Sequence, residues 1–367
     1  MTVMQQYATR RRQAHHGCAA CEGPLGRAPA EELWFSSHAA PARHKIQQAL
    51  ASAGATPTRQ DTYLKVPVAG AAAPLLDRVT GALTTLEREE VTVAWVIAGT
   101  TPAEAVREEL PLLRLQAEVR DRWFTRLLDE RLLYMHFQPI VSLRAPEVFA
   151  HEALVRGERD GRELSGFEIV SQAKRSGLIV PLDARTRVTA IEQFATSGLR
   201  SKLFINFQPS AIYNPRYCLR TTFAALERTA LRPQDIVFEV VESEDVADIA
   251  HLRRIIEAYR AQGLGVAMDD FGAGYSTPRR LLELHPDYVK IDKSLTAEVA
   301  TDDAARHALA SVVGMAHDEG CRVIAEGIET VAQRDALREL GVEFGQGYLY
   351  ARPARSPVVT WPPERAE

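Results

Sequence analysis

A chain of 367 residues, 46% apolar and 25% charged, has the composition of an ordinary folded protein with room for one large domain and a smaller one, which excludes disordered and collagen-like chains. Its formal net charge of −4 excludes a broad surface for a nucleic-acid polymer, which would need many clustered cations, but leaves room for a local site that takes a small anionic nucleotide. No run of about 18 apolar residues is present for membrane insertion, no apolar stretch follows Arg10, Arg11 and Arg12 to make a secretory signal, and the cysteines are too few for a disulfide scaffold, so a cytoplasmic protein is predicted.

Residues 1–30 read as an irregular arm that carries the basic cluster, two adjacent histidines and the pair Cys18/Cys21. His15, Cys18 and Cys21 have the spacing of part of a zinc site or of a redox pair. A CxxC without a second half-site is also what a plain flexible arm can contain, and the three readings stay open. Residues 31–101 read as a small α/β domain of βαβαβ type, regulatory or dimerising by its position. Its strands are expected at 32–36, 63–66 and 90–98, and its helices at 44–53, ended by Gly54, and 74–86. Pro102 suits a first helical turn, and a long helical stretch is predicted from there to about residue 133, with 102–125 as the connecting helix. It either packs on its neighbours or forms a dimerising coil, although Arg120 and Arg131 break the heptad.

From 126 to 358 short apolar strands alternate with helices. The strands are read at 134–141, 148–155, 203–206, 236–241, 266–269, 288–291, 323–325 and around Phe344. Repeated strand-then-helix units imply a mainly parallel sheet, and this many strands over roughly 230 residues predict a closed TIM (β/α)8-type barrel. The first two strands are joined by a short turn near Ala145 and Pro146, so one of them must run antiparallel, and the barrel is a modified one. Cys218 and Cys321 fall within it and are read as packing residues.

The chemistry collects at the strand ends. Glu152 is on the second strand, Asn206 closes the third, Glu239 sits in the fourth, and Asp269 and Asp270 close the fifth. Lys290 lies on the sixth, and Glu326 and Gln346 follow the seventh and eighth. Taken singly, each is an ordinary cap, turn residue or surface charge. Their serial recurrence is different, because in a parallel barrel all the C-terminal strand ends open onto one face, the face that holds active sites. Clustered carboxylates raise one another's pKa unless cations neutralise them. Oxygen ligands without Cys or His select hard ions such as Mg²⁺ or Mn²⁺. Adjacent aspartates can bridge two such ions for phosphoester hydrolysis. The glycines that follow Asp270 allow a tight loop over the site, and Arg156, four residues past Glu152, could bind a phosphate oxygen.

The ordered motifs of residues 126–356 resemble those of the EAL domain, the bacterial cyclic di-GMP phosphodiesterase module. His136-Phe137-Gln138-Pro139-Ile140-Val141 is similar to its opening strand, and Glu152-Ala153-Leu154-Val155-Arg156 contains its naming motif. Asp269-Asp270-Phe271-Gly272-Ala273-Gly274-Tyr275-Ser276 resembles its loop. Lys290-Ile291-Asp292, Ala325-Glu326-Gly327-Ile328-Glu329-Thr330 and Gln346-Gly347-Tyr348 follow in order. The resemblance implies that Glu152, Asn206, Glu239 and Asp269 hold one metal and that Asp269 and Asp270 hold a second, with Glu326 beside them. It implies that Lys290 and Glu326 orient and activate the attacking water, and that Gln346 belongs to the metal and water shell. Gln138, Leu154 and Arg156 match substrate contacts. Glu242, Glu329 and Ser276 match supporting positions, with Glu242 tying down the loop after Asp270. Two ions, Mg²⁺ or Mn²⁺, a homodimer, and hydrolysis of cyclic di-GMP to linear pGpG are the corresponding expectations.

Departures from the family pattern are Gln208-Pro209-Ser210 after Asn206-Phe207, Gly157 in place of an aromatic, Val240-Val241 in place of Ile-Thr, and Thr277-Pro278 at the loop's end. None removes a ligand; they bear on rate, affinity and loop coupling. The competing function is a receptor that binds cyclic di-GMP without cutting it. Degenerate relatives of that kind lose the naming Glu, the Asp pair or the Lys, and all of these are present here.

Overall fold

A computed structural model describes residues 31–68, 72–240, 249–272 and 278–360. The chain divides into two compact units that meet in sequence between Glu130 and Arg131.

The first unit contains β1 (Glu32–Ser36), α1 (Ala40–Ser52), β2 (Thr58–Gln60), β3 (Tyr63–Pro67), α2 (Ala72–Ala82), α3 (Thr85–Glu90) and β4 (Thr92–Val96). These are followed by α4 (Pro102–Glu108), β5 (Glu109–Pro111), α5 (Leu112–Arg120) and α6 (Arg122–Asp129). The sheet order is β2-β3-β1-β4-β5 and every pairing is antiparallel. The arrangement is thus a split β-α-β-β-α-β unit with an added edge strand, and it contains two strands, β2 and the added β5, that the sequence reading lacked. Strand β1 is apolar at its three central residues, Leu33, Trp34 and Phe35, because both of its faces are covered there. Leu33 and Phe35 pack with Ile46, Leu76, Val79 and Leu115 on one side, and Trp34 packs with Tyr63 and Ala105 on the other. The helix expected at 74–86 splits in two, and Thr84 starts the second part. Its hydroxyl accepts from the Glu87 N–H while the Glu87 carboxylate accepts from the Thr84 N–H.

The continuous helix predicted from Pro102, including the connecting helix at 102–125, is corrected by the structure. Pro111 disfavours the helical conformation at Leu110 and supplies no amide hydrogen. The chain there runs extended and pairs with β4, Leu110 opposite Val93. Glu109 is fixed in that strand by the hydroxyls of Tyr63 and Thr92, the latter at 2.7 Å. Leu112, Leu115 and Val119 of α5 are buried in this unit's own core, which is the packed reading of that stretch and not a dimerising coil.

The second unit holds β6 (Tyr134–Ser142), β7 (Val148–Arg159), β8 (Arg162–Leu164), α7 (Gly166–Arg175), α8 (Ile179–Thr196), β9 (Lys202–Phe207), α9 (Pro215–Cys218), α10 (Arg220–Glu227) and β10 (Ile236–Val240). Then come α11 (Ile249–Arg260), β11 (Gly265–Phe271), α12 (Pro278–Leu284), β12 (Tyr288–Ile291), α13 (Lys293–Thr296), α14 (Asp303–Asp318), β13 (Arg322–Ala325), α15 (Val331–Glu339) and β14 (Phe344–Gly345). Around the sheet the order is β6-β14-β13-β12-β11-β10-β9-β7, and β6 pairs with β7 to close the ring. Strand β6 is antiparallel to both of its neighbours, and the pairings from β7 round to β14 are parallel. This is the modified barrel expected from the short β6–β7 turn. The hairpin strand β8, hydrogen-bonded to β7, is an addition.

Inside the ring lies a layer of Ile140, Ala150, Phe204, Val237, Ala267, Tyr288, Ile324 and Phe344. Side chains on a strand return to the same face every second residue. Two positions further toward the C-terminal end of the parallel strands are Glu152, Asn206, Glu239, Asp269, Lys290, Glu326 and Gln346. On antiparallel β6 the polarity reverses, and Gln138 precedes Ile140 by two. One step of the pleat therefore separates an apolar plug from a polar layer. Among the described residues no helix is long and apolar enough to cross a membrane.

Candidate active site

Lys290 is the hub of the polar layer. It is 1% exposed, and its Nζ lies 2.6 Å from Glu326 Oε1, 3.0 Å from Glu239 Oε1, 3.0 Å from Asp269 Oδ1 and 3.4 Å from Glu152 Oε2. Burial opposes the ammonium charge, yet the carboxylates of Asp269, Glu152, Glu239 and Glu326 hold its pKa well above the ordinary lysine value. Lys290 therefore remains a cation and a hydrogen-bond donor.

Glu152 is held by carboxamides. Asn206 Nδ2 donates to its Oε1 at 2.8 Å, and Gln346 Nε2 donates to its Oε2 at 2.7 Å. Burial pushes this carboxyl toward its neutral form, but Lys290 and these donors outweigh burial and bring it below the usual range. Gln346 Nε2 also reaches Gln138 Oε1 at 3.0 Å, while Gln138 Nε2 donates to the Ala351 carbonyl at 3.2 Å. Next to Gln346 the backbone passes close against Ile328. A Cβ on Gly347 would sit 2.0 Å from the Ile328 carbonyl oxygen, so only glycine fits there.

Adjacent residues on a strand point to opposite faces, so Asp269 and Asp270 need a special backbone to converge. The β11–β12 register shifts between Met268 and Phe271, and Asp270 has φ 55°, in the left-handed region that Asp tolerates better than most side chains. This bulge brings carboxylate oxygens of Asp269, Asp270 and Glu326 within 4.8 Å of one another. Burial, and then the neighbouring Asp269 charge, lifts Asp270 to about 6. Burial raises Glu326 to about 8 against the pull of Lys290. Glu239 stands well above the usual carboxylate range, because it is buried and faces the Glu152 charge. Behind Glu326, the Thr296 hydroxyl donates to its backbone carbonyl.

Five carboxylates, those of Glu152, Glu239, Asp269, Asp270 and Glu326, thus face one ammonium. Glu239 Oε1 and Oε2 and Asp269 Oδ1 are buried without a hydrogen-bond partner. Lys290 Nζ lies 3.0 Å from two of these atoms, Glu239 Oε1 and Asp269 Oδ1, and forms an ion pair with each carboxylate. Buried acceptors left this way carry a desolvation cost, which a bound cation removes. The donor set is all oxygen, so it fits hard divalent cations and not zinc.

The structure thus brings Gln138, Glu152, Asn206, Glu239, Asp269, Asp270, Lys290, Glu326 and Gln346 together. Leu154 and Arg156 follow Glu152 at two-residue steps on the same face of β7. Arg156 donates through Nη1 to the Val155 carbonyl at 2.8 Å, and its Nε lies 3.7 Å from Glu163. Glu329 is exposed, and its backbone N–H donates to Gln333 at 2.9 Å. Glu242, Ser276, Cys18 and Cys21 lie outside the described residues. Sequence reasoning missed Thr296 and the buried pair Asp183–Arg187, which are 2.8 Å apart. Asp183 Oδ1 accepts from the Gln208 N–H just past Asn206. Its spacing of four residues from Arg187 on a helix was the available signal.

The sequence model of the family described as the EAL domain matches residues 121–353. The chain belongs to the EAL domain family. It is 31% identical over 229 residues to the probable cyclic di-GMP phosphodiesterase PdeB of Escherichia coli (strain K12), covering 61% of this chain and 43% of PdeB. It is 32% identical over 240 residues to the probable cyclic di-GMP phosphodiesterase PdeG of the same strain, covering 62% and 46%. The chain therefore spans less than half the length of these curated relatives. Among solved structures, a standalone versatile EAL protein from Vibrio cholerae O395 in its c-di-GMP bound form is 38% identical, with a TM-score of 0.58 over 62% of this chain and 95% of that one. The PaMucR phosphodiesterase in complex with c-di-GMP is 28% identical, with a TM-score of 0.57 over 64% and 96%.

Proposed function

We propose that this EAL protein is a metal-dependent phosphodiesterase that hydrolyses cyclic di-GMP to linear pGpG, with two Mg²⁺ or Mn²⁺ ions per site. The observation that carries this reading is the buried acidic layer around Lys290, with five carboxylates against one ammonium. Glu152, Asn206, Glu239 and Asp269 would hold one ion, and Asp269, Asp270 and Glu326 the other. When bound, the ions would polarise the phosphodiester and lower the pKa of an attacking water.

The chain's own groups divide the remaining work. Lys290, kept cationic, anchors Glu326 at 2.6 Å and neutralises part of the charge that develops on phosphorus-bound oxygen. Glu326 takes the proton of the attacking water. The water oxygen bonds to phosphorus, the bond to the 3′ oxygen breaks, and that oxygen leaves with the electron pair and picks up a proton. One water is consumed, and the 5′ phosphate stays on the linear product. Gln346 and Gln138 orient Glu152 and the substrate edge, with Leu154 and Arg156 lining the way in. In this reading the protein works in the cytoplasm, in keeping with the free thiols Cys218 and Cys321, and as a homodimer.

The test is incubation of the full chain with cyclic di-GMP and Mg²⁺ or Mn²⁺, beside Glu152→Ala. The expected result is pGpG from the parent chain and none above background from the variant. Saturable binding without product, with either metal and across pH, would establish the receptor function instead.

A further inference from the structure

On the β6–β7 ladder Gln138 stands opposite Glu152, His136 opposite Leu154, and Tyr134 opposite Arg156. Alternate residues share a face, so His136 and Tyr134 continue the site's face outward from Gln138, at roughly 7 Å per two residues. Three of these side chains turn toward one carboxylate, that of Glu163 on β8. The Tyr134 hydroxyl donates to its Oε2 at 2.7 Å, His136 Nε2 lies 3.2 Å from the same oxygen, and Arg156 Nε is 3.7 Å from Oε1. A further cation joins the group. Phe137 and Ala354 form a backbone bridge, and Arg355, next in sequence, lies over the Tyr134 ring at 4.6 Å. The rim of a strongly acidic pocket thus carries Arg156, Arg355 and His136, with a half-exposed carboxylate among them.

We propose that Glu163 is a specificity-determining residue of the proposed reaction. It holds Arg156 and His136 in place as an anionic stand-in, and the non-reacting phosphate of the cyclic dinucleotide takes up these groups when it binds. The inference rests on the phosphodiesterase reading above. A cyclic dinucleotide has two phosphates, and the metal layer uses only one. The second would enter beside a cluster of carboxylates, where it needs cations. Glu163 cancels part of the positive charge available to it, so it weakens the binding of ligands that carry a second anionic group and leaves one-phosphate ligands unaffected.

The experiment compares Glu163→Gln with the parent chain. Glutamine keeps an oxygen for the Tyr134 hydroxyl and removes the charge, with one acceptor oxygen exchanged for an NH2 donor. The KM for cyclic di-GMP should fall about threefold to tenfold with kcat within about twofold, a size set by one partly screened charge. The gain should shrink as ionic strength rises. Bis(p-nitrophenyl) phosphate, which has one phosphate and reaches only the metal layer, should show no change in KM. Arg355→Ala should raise the KM for cyclic di-GMP alone. An unchanged or raised KM for Glu163→Gln, or the same change on both substrates, would overturn the inference while leaving the phosphodiesterase reading intact. A parent chain that neither binds nor cuts cyclic di-GMP would remove both.

Discussion

The two layers inside the barrel are one pleat apart and obey opposite rules. The lower layer, from Ile140 to Phe344, follows the demands of folding: its residues are hydrophobic, buried and in one cluster. Phe149 stacks on Phe344 with ring centroids 3.9 Å apart, and Arg322 covers that pair from outside. The upper layer violates those demands, with like charges packed together, buried acceptors without donors, and a left-handed Asp270. The same strands build both, so the upper layer's cost is sustained by the rigidity of the lower one. Stability resides at one end of each strand and chemistry at the other.

The sharpest way to break that comparison is to change the upper layer alone. Glu239→Gln preserves the shape and volume of a fully buried residue whose carboxyl favours its neutral form. The metal-free fold should tolerate it, with a thermal midpoint equal to or above that of the parent chain. Turnover of cyclic di-GMP should fall about a thousandfold, because a ligand and its charge are lost. A drop in midpoint together with preserved turnover would show that this layer serves folding.

A second test uses pH. In metal-free protein Glu326 titrates at about 8 and Asp270 at about 6, both lifted first by burial. Raised carboxyl pKa values mean that between their unfolded values and about 8 the folded state binds more protons than the unfolded state. Stability therefore falls as pH rises through that window. Chelator-treated protein should lose thermal stability from pH 5.5 to 8.5. Saturating Mn²⁺ should flatten the profile and release protons on binding, measurable by calorimetry in buffers of different ionisation heat. A flat metal-free profile would contradict the uncompensated charge in this layer.

Much of this division was legible in the sequence, because period-two alternation and polar residues recurring at strand ends are local signals. The pairs Val237/Glu239 and Ile324/Glu326 show the plug and the site two residues apart. What was not legible depended on contacts distant in sequence or on the backbone. The bulge that turns Asp270 beside Asp269 comes from pairing with β12, not from the local pattern. Glu163 reads as an ordinary surface acid until the hairpin places it against Tyr134 and His136. In the first unit, alternating strands and helices suggested a βαβαβ order, but direction and pairing depend on which edges meet. The break at Leu110-Pro111 was in plain view, and the apolar spacing on either side of it outweighed it in the reading.

The smallest expected effect belongs to the lower layer. Ile324 is fully buried, and its strand leads directly to Glu326. Ile324→Val removes one methylene and should cost about 0.5–1.5 kcal/mol of unfolding free energy, through lost transfer energy and a small cavity. Because the plug acts by rigidity and holds no ligand, kcat and the Mn²⁺ activation curve should stay within about twofold of the parent chain. Denaturant melts and steady-state assays on the same preparation check both. The two layers are independent only in so far as the backbone between Ile324 and Glu326 does not shift, and the Thr296 hydroxyl holding the Glu326 carbonyl is the contact that resists such a shift. A loss of activity exceeding the loss of stability would mean that the plug sets the position of Glu326 directly, and the division into a folding end and a chemical end would fail at this strand.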